Sequence, residues 1–288
     1  MKIRLFRTSD DYHHHFRHWS AQSDVPRGYV VALHGIQSHS GWYDYSSQRI
    51  SAAGFDVRFL DRRGSGLNGC HRGHTPHYER LIHDVRQFLT YIKEERDSER
   101  PGAPIVLTGI SWGGKVATAT AIRYPDLVDG LALLYPGICA RMKPNWWQVQ
   151  LMNLGVSLGK GRERVKIPLD DPTLFTGEKD WQEFIRNDRY TIHQVSLDFL
   201  KASLELEQLI QSEATKLKLP LLMMLAGQDE IIDNEETLRL LSQFGSEREN
   251  LILYNDARHT LEFERNRHEI FSDFLEWLNH LCRREQSV

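Results

Sequence analysis

Apolar residues along this 288-residue chain gather into short runs separated by amphipathic stretches. The runs at 29–33, 105–108, 130–135 and 219–226 are rich in Val, Ile and Leu and lack the polar alternation of half-exposed strands, and 55–60 and 250–254 read as two further strands. The unbroken apolar runs predict strands buried on both faces. Between them, 43–53, 79–95, the segment after Gly113, and 235–244 carry helical patterns. In 79–95, Leu81, Ile82, Val85, Phe88, Leu89 and Ile92 form one apolar stripe. A last amphipathic helix puts Phe271, Phe274, Leu275, Leu278 and Leu281 on its buried side. Two short strands, 3–6 and 12–19, read as an antiparallel edge. Strands alternating with helices at this rhythm predict an α/β protein with a doubly wound, mostly parallel sheet. From 138 to 216 the rhythm stops, and a mainly helical pattern broken by Pro144, Pro168 and Pro172 takes over. That stretch predicts a helical lid, or cap, inserted between two sheet strands, which leaves a core in two parts, 1–137 and 217–288.

Charge narrows the partners. Lys and Arg number 36 against 39 Asp and Glu, for a net charge of -3, so nucleic acid is not an expected partner. No run of 18 apolar residues occurs, so no transmembrane segment is expected. The first residues also lack the apolar core of a secretory signal. Cys70, Cys139 and Cys282 are odd in number and widely spaced, which suggests no disulfide framework and a cytoplasmic, reduced location. His13, His14 and His15 read as solvated strand residues, because alternation divides them between two faces. His71, His74 and His77 lie among glycines and Pro76, which keeps one helix from presenting all three to a metal. No metal and no organic cofactor are expected.

The candidate chemistry begins at Gly109-Ile110-Ser111-Trp112-Gly113-Gly114, between a β-branched run and a run of small residues. Read as strand, sharp turn and helix, it fits the Gly-x-Ser-x-Gly nucleophile elbow, where glycines clear space and the serine takes a strained backbone. Upstream, the strand at 29–33 ends in His34-Gly35-Ile36-Gln37, the place of an oxyanion-hole loop. The Ile36 and Trp112 amides would then hold the negative oxygen of a tetrahedral intermediate. A serine hydroxyl needs a base beside it, usually a histidine held by a carboxylate. In this fold the acid and then the histidine follow the serine, on loops after later strands. Asp229 follows the run ending at Ala226, and His259 follows the run ending at Tyr254. Glu230 and Asp233 rival Asp229, while His268 and His280 fall within the last helix. The loop Asp61-Arg62-Arg63-Gly64-Ser65-Gly66-Leu67-Asn68 reads as architecture, with Asp61 anchoring it through backbone amides.

These motifs, with Gly227-Gln228-Asp229 and His259, resemble the α/β-hydrolase superfamily over nearly the whole chain. They are most similar to its branch of monoacylglycerol lipases and lysophospholipases. In the lid, Asp171-Pro172-Thr173-Leu174-Phe175 and the segment 181–188 are similar to that branch too. The resemblance implies Ser111 as nucleophile, His259 as base, Asp229 as orienting acid, and a small-molecule monoacyl ester as substrate. The lid's own apolar and aromatic residues, Trp146, Trp147 and Trp181 with Met142, Met152 and Phe184, suit lining an acyl pocket, transient contact with a lipid surface, or a small core of the lid itself. The branch commonly carries His before the serine and Met after it, where this chain has Ile110 and Trp112. Trp112 is therefore expected to narrow or reshape the acyl pocket. An aminopeptidase or amidase with the same triad stays open, with Glu163, Asp170, Asp171, Glu178, Asp180 and Glu183 as carboxylates for a substrate amine. So does a non-catalytic binding protein that keeps the fold.

Overall fold

A computed structural model describes residues 1–285. The chain runs through β1 (Lys2–Arg7), β2 (His13–Trp19), β3 (Tyr29–Leu33), α1 (Asp44–Ala52), β4 (Asp56–Leu60), α2 (Tyr78–Glu99), β5 (Ile105–Ile110), α3 (Gly113–Arg123) and β6 (Gly130–Leu134). It continues through α4 (Trp146–Ser157), β7 (Arg164–Lys166), α5 (Lys179–Asn187), β8 (Gln194–Ser196), α6 (Leu197–Glu213), β9 (Leu221–Ala226), α7 (Asn234–Leu241), β10 (Glu249–Tyr254) and α8 (Arg267–Glu285). Eight strands form one sheet in the order β1-β2-β4-β3-β5-β6-β9-β10. β2 pairs antiparallel with both β1 and β4, and every pair from β4 to β10 is parallel. The fold is the expected α/β-hydrolase architecture.

The uninterrupted apolar runs follow from this layering. Val31, Leu33, Leu107, Leu131, Leu133, Met223 and Leu225 face the layer that holds α2, α3 and α6. Their neighbours Val30, Ala32, Val106, Ala132, Leu134, Leu222 and Met224 face the layer that holds α8. With helices on both faces, the residues of β3, β5, β6 and β9 lose their water and are almost all apolar. By contrast, β4 buries Asp56 and Arg58 as an ion pair, and the edge strand β10 leaves Leu251 and Leu253 exposed. The parallel order also puts the C-terminal ends of β3, β5, β9 and β10 along one rim, where open α/β sheets carry their sites.

Between β6 and β9 lie α4, α5, α6 and a small antiparallel sheet of β7 and β8. The mainly helical expectation missed that sheet, because three residues are too few for a visible alternation. α6 packs down onto the core, burying Phe199, Ala202, Leu206, Leu209 and Ile210. Its neighbour α4 buries only Met152. One histidine departs from expectation as well. His14 is fully buried, with Nδ1 at 3.2 Å from the Asp61 carbonyl and Nε2 at 3.4 Å from the Asp84 carboxylate. His13 is exposed, and His15 is half-buried against Asn68.

Candidate active site

The turn after β5 is forced by its neighbours. Ser111 has φ +50°, a left-handed conformation that costs a non-glycine residue about 1–3 kcal/mol and persists only when its surroundings impose it. Those surroundings are explicit. The Ser111 N–H donates to the Leu134 carbonyl (3.0 Å), and the Ser111 carbonyl accepts from the Gly137 N–H (2.6 Å). A Cβ on Gly109 would sit 2.7 Å from the Ala117 Cβ, and one on Gly113 would sit 2.5 Å from the Leu33 carbonyl oxygen. Both positions therefore exclude side chains, and the tight turn lifts the Ser111 hydroxyl above the rim.

Two later loops converge on that hydroxyl. Ser111 Oγ lies 2.8 Å from His259 Nε2, and His259 Nδ1 lies 2.8 Å from Asp229 Oδ2. The other Asp229 oxygen accepts the N–H groups of Ile231 (2.8 Å) and Ile232 (2.9 Å), which fixes the carboxylate. With Asp229 accepting from Nδ1, the lone pair on Nε2 is free to take the serine proton. The imidazole is 1% exposed, edge-on to the rings of Tyr135 (4.7 Å) and Phe175 (5.9 Å), so few rotations are open to it. Asp233 instead caps α7 through the Glu236 N–H (2.9 Å), and His268 and His280 lie along α8.

The loop after β3 lies against the same serine. A Cβ on Gly35 would fall 3.3 Å from the Ser111 Cβ. Among the described residues, neither the Ile36 N–H nor the Trp112 N–H donates to a protein acceptor. An unused amide pair beside a serine hydroxyl is what an oxyanion would need. The Trp112 ring turns toward the insertion. It stacks on Phe199 at 4.7 Å and 24°, and its Nε1–H donates to Ser203 Oγ at 2.9 Å, tying the elbow to α6.

The loop after β4 supports this arrangement from below. Asp61 accepts the N–H groups of Ser40 (2.8 Å) and Leu67 (2.9 Å), the anchoring role read from the sequence. His34 Nε2 accepts the Arg62 N–H (3.1 Å), so Nδ1 carries the ring proton and donates to the Gly35 carbonyl (2.8 Å). Burial holds this imidazole well below the usual histidine range, which keeps it neutral. Tyr135, Phe175 and Arg62 are site residues that the sequence reading left as strand end, lid and loop. Their contacts join segments far apart in the chain, and no local pattern announces them. Among the described residues, no group of three or more His, Cys, Asp or Glu side chains is placed to hold a metal ion.

A family model described as "Serine aminopeptidase, S33" matches residues 24–266. The chain belongs to that family. A monoacylglycerol lipase of Mycolicibacterium smegmatis is 26% identical over 265 residues, covering 91% of this chain and 92% of the relative. Phospholipase YtpA of Bacillus subtilis is 25% identical over 257 residues, covering 88% and 93%. Among solved structures, a monoacylglycerol lipase from Paleococcus ferrophilus superimposes with a TM-score of 0.82 at 21% identity, covering 98% of this chain and 100% of that one. A monoglyceride lipase variant from Saccharomyces cerevisiae, in complex with a substrate analogue, also reaches 0.82 at 20% identity, covering 97% and 95%. These likenesses fix the fold as that of an α/β-hydrolase.

Proposed function

We propose that the chain is a carboxylic ester hydrolase that works on monoacyl esters through an acyl-enzyme on Ser111. The observation that carries this reading is the Ser111 Oγ to His259 Nε2 contact of 2.8 Å at a left-handed serine. Ser111 Oγ attacks the ester carbonyl carbon while His259 Nε2 takes its proton, and Asp229 holds the imidazolium that results. The carbonyl oxygen becomes negative and draws on the Ile36 and Trp112 amides. His259 returns the proton to the departing alcohol, and water then cleaves the acyl-enzyme by the same steps in reverse roles. No metal or organic cofactor takes part.

A monoacyl ester is favoured because relatives spanning nearly the full chain are named monoacylglycerol lipase and phospholipase. An aminopeptidase needs free carboxylates near the serine to bind an amine. Of the six candidate carboxylates, Asp170 pairs with Lys166, Glu178 with Arg265 and Glu163 with Lys160, and Asp171 caps a turn through Thr173. That leaves Asp180 and Glu183 on α5 for the anilide test to examine. Residues 138–216 act as the lid over the rim in this reading. Its helix α4 has no charged residue and exposes Trp146, Trp147, Leu151 and Leu154, a face suited to transient contact with a lipid surface. Among the described residues no helix is long and apolar enough to cross a membrane, and we place the chain in the cytoplasm on its cysteine pattern. Hydrolysis of p-nitrophenyl butyrate and of monoacylglycerol, set beside an aminoacyl anilide, tests the reading. Ester turnover that disappears in Ser111→Ala is the expected result. Preference for the anilide, or ester turnover that survives in Ser111→Ala, overturns it.

A further inference from the structure

Two adjacent arginines leave β4 and meet opposite fates. Arg63 is paired with carboxylates, donating to Asp84 through Nε (2.8 Å) and lying 2.9 Å from Asp10. Arg62 is equally buried, yet among the described residues it forms no ion pair within 4.0 Å, and its Nε has no partner. Its Nη2 donates instead to two backbone carbonyls, Gly35 O at 2.8 Å and Ile36 O at 2.7 Å. The guanidinium also lies 4.6 Å above the Trp112 ring and 5.6 Å above the Phe199 ring. A buried cation without a carboxylate is costly to keep. One that touches both residues whose amides face the nucleophile has a use for its charge.

We propose that Arg62 is the positioning residue of the oxyanion hole, polarising and aiming the Ile36 N–H through the peptide it shares with the Gly35 carbonyl. The inference rests on the reading of Ser111, Ile36 and Trp112 as the reacting centre. Its physical basis is the delocalised peptide unit: a donor on the carbonyl oxygen draws electron density from nitrogen, so the N–H becomes a stronger donor. The Gly35 carbonyl has two such donors, Arg62 Nη2 and His34 Nδ1, both at 2.8 Å. The second bond, to the Ile36 carbonyl, clamps the far side of the same residue and stops the loop from turning its N–H away. Stacking over Trp112 holds the other amide's residue in register with the first. No positive charge has to move when the oxyanion forms.

The test compares Arg62→Met and Arg62→Lys with the wild type on p-nitrophenyl butyrate, each rate divided by the sites titrated with a fluorophosphonate. An alkylboronic acid, whose tetrahedral adduct places an oxygen in the hole, reports transition-state affinity. Arg62→Met keeps an unbranched apolar side chain beside Trp112 and Phe199 but has no donor. Its kcat should fall about 10- to 100-fold, less than the ~100- to 1000-fold for deleting an entire oxyanion donor. KM should stay within about threefold and boronic acid affinity should fall in step with kcat, the signature of an interaction made only in the transition state. Arg62→Lys keeps a charge and a donor and should recover part of the loss, which also covers the case of a poorly folded methionine variant. A per-site kcat within about twofold of wild type, or boronic acid affinity unchanged in both variants, overturns the proposal. Ser111→Ala runs in parallel. Loss of turnover there with full turnover in Arg62→Met refutes only the role of Arg62, whereas turnover retained in Ser111→Ala removes the reading beneath it.

Discussion

Helices α3 and α4 are nearly equal in length and lack acidic residues, yet the protein treats them in opposite ways. α3 buries every residue from Gly113 to Ile122. α4 buries Met152 alone and leaves Trp147 70% exposed. Side-chain size separates them. The glycines, alanines and threonines of α3 let its backbone approach β3 and β5 closely, which is what sharpens the turn at Ser111. The tryptophans and leucines of α4 have volume but no cavity in this chain to fill, and Trp146 and Trp147 pack mainly on each other, at 4.4 Å. Apolar composition alone therefore does not decide burial. In the site reading, one helix spends its apolar surface inside the molecule to shape the nucleophile, and the other keeps it for a surface outside.

Substitutions can break this contrast at graded cost. The largest effect is expected in the turn just ahead of α3, where Ser111→Ala should lower ester kcat by about 10⁴-fold or more while the melting temperature holds, as steady-state kinetics and calorimetry would show. Asp229→Asn, which keeps the shape and loses the charge that orients His259, should cost about 10⁴-fold by the same assay. Within α3, Ala119→Leu forces bulk into a fully buried position and should lower stability by about 1–3 kcal/mol in urea unfolding. Trp147→Ala on α4 should change stability by less than about 0.5 kcal/mol, as exposed substitutions do. Its effect should fall instead on emulsified or vesicle-bound monoacylglycerol, with soluble ester turnover unchanged. Equal loss on both substrates would erase the distinction between the two helices.

A smaller effect concerns the loop that holds His259. Burial pushes the Glu262 carboxyl up to about 8. At acid pH the carboxyl is protonated in both the folded and the unfolded chain. Between the ordinary glutamate range and about 8 the unfolded chain ionises first, so stability falls as pH rises through that window. Glu262→Gln keeps an acceptor for the Ser46 N–H and should flatten that slope, which is at most about 1.4 kcal/mol per pH unit. Urea unfolding at several pH values checks it.

The central strands β3, β5, β6 and β9 were legible because burial on both faces writes itself into a strand as a nearly unbroken apolar run. Ser111, Asp229 and His259 stood out because each follows its own strand in a chain order that means something in a parallel sheet. What stayed hidden depends on partners distant in sequence. Alternation divides His13, His14 and His15 between two faces, but it does not say that the face holding His14 is sealed by α2 and Asp84. Arg62 and Arg63 are identical letters side by side, and only the folded chain gives one a carboxylate and the other two carbonyls. Nothing local distinguishes the apolar residues of α4 from core residues.

The central claim is that Ser111 is made nucleophilic by His259, and active-site labelling tests it most directly. Incubated with a fluorophosphonate and analysed by intact and peptide mass spectrometry, the wild-type protein should take up one phosphonyl group, on Ser111. In His259→Ala the labelling rate should collapse. An unlabelled wild-type serine, or a His259→Ala variant that labels as fast as wild type, would contradict the account.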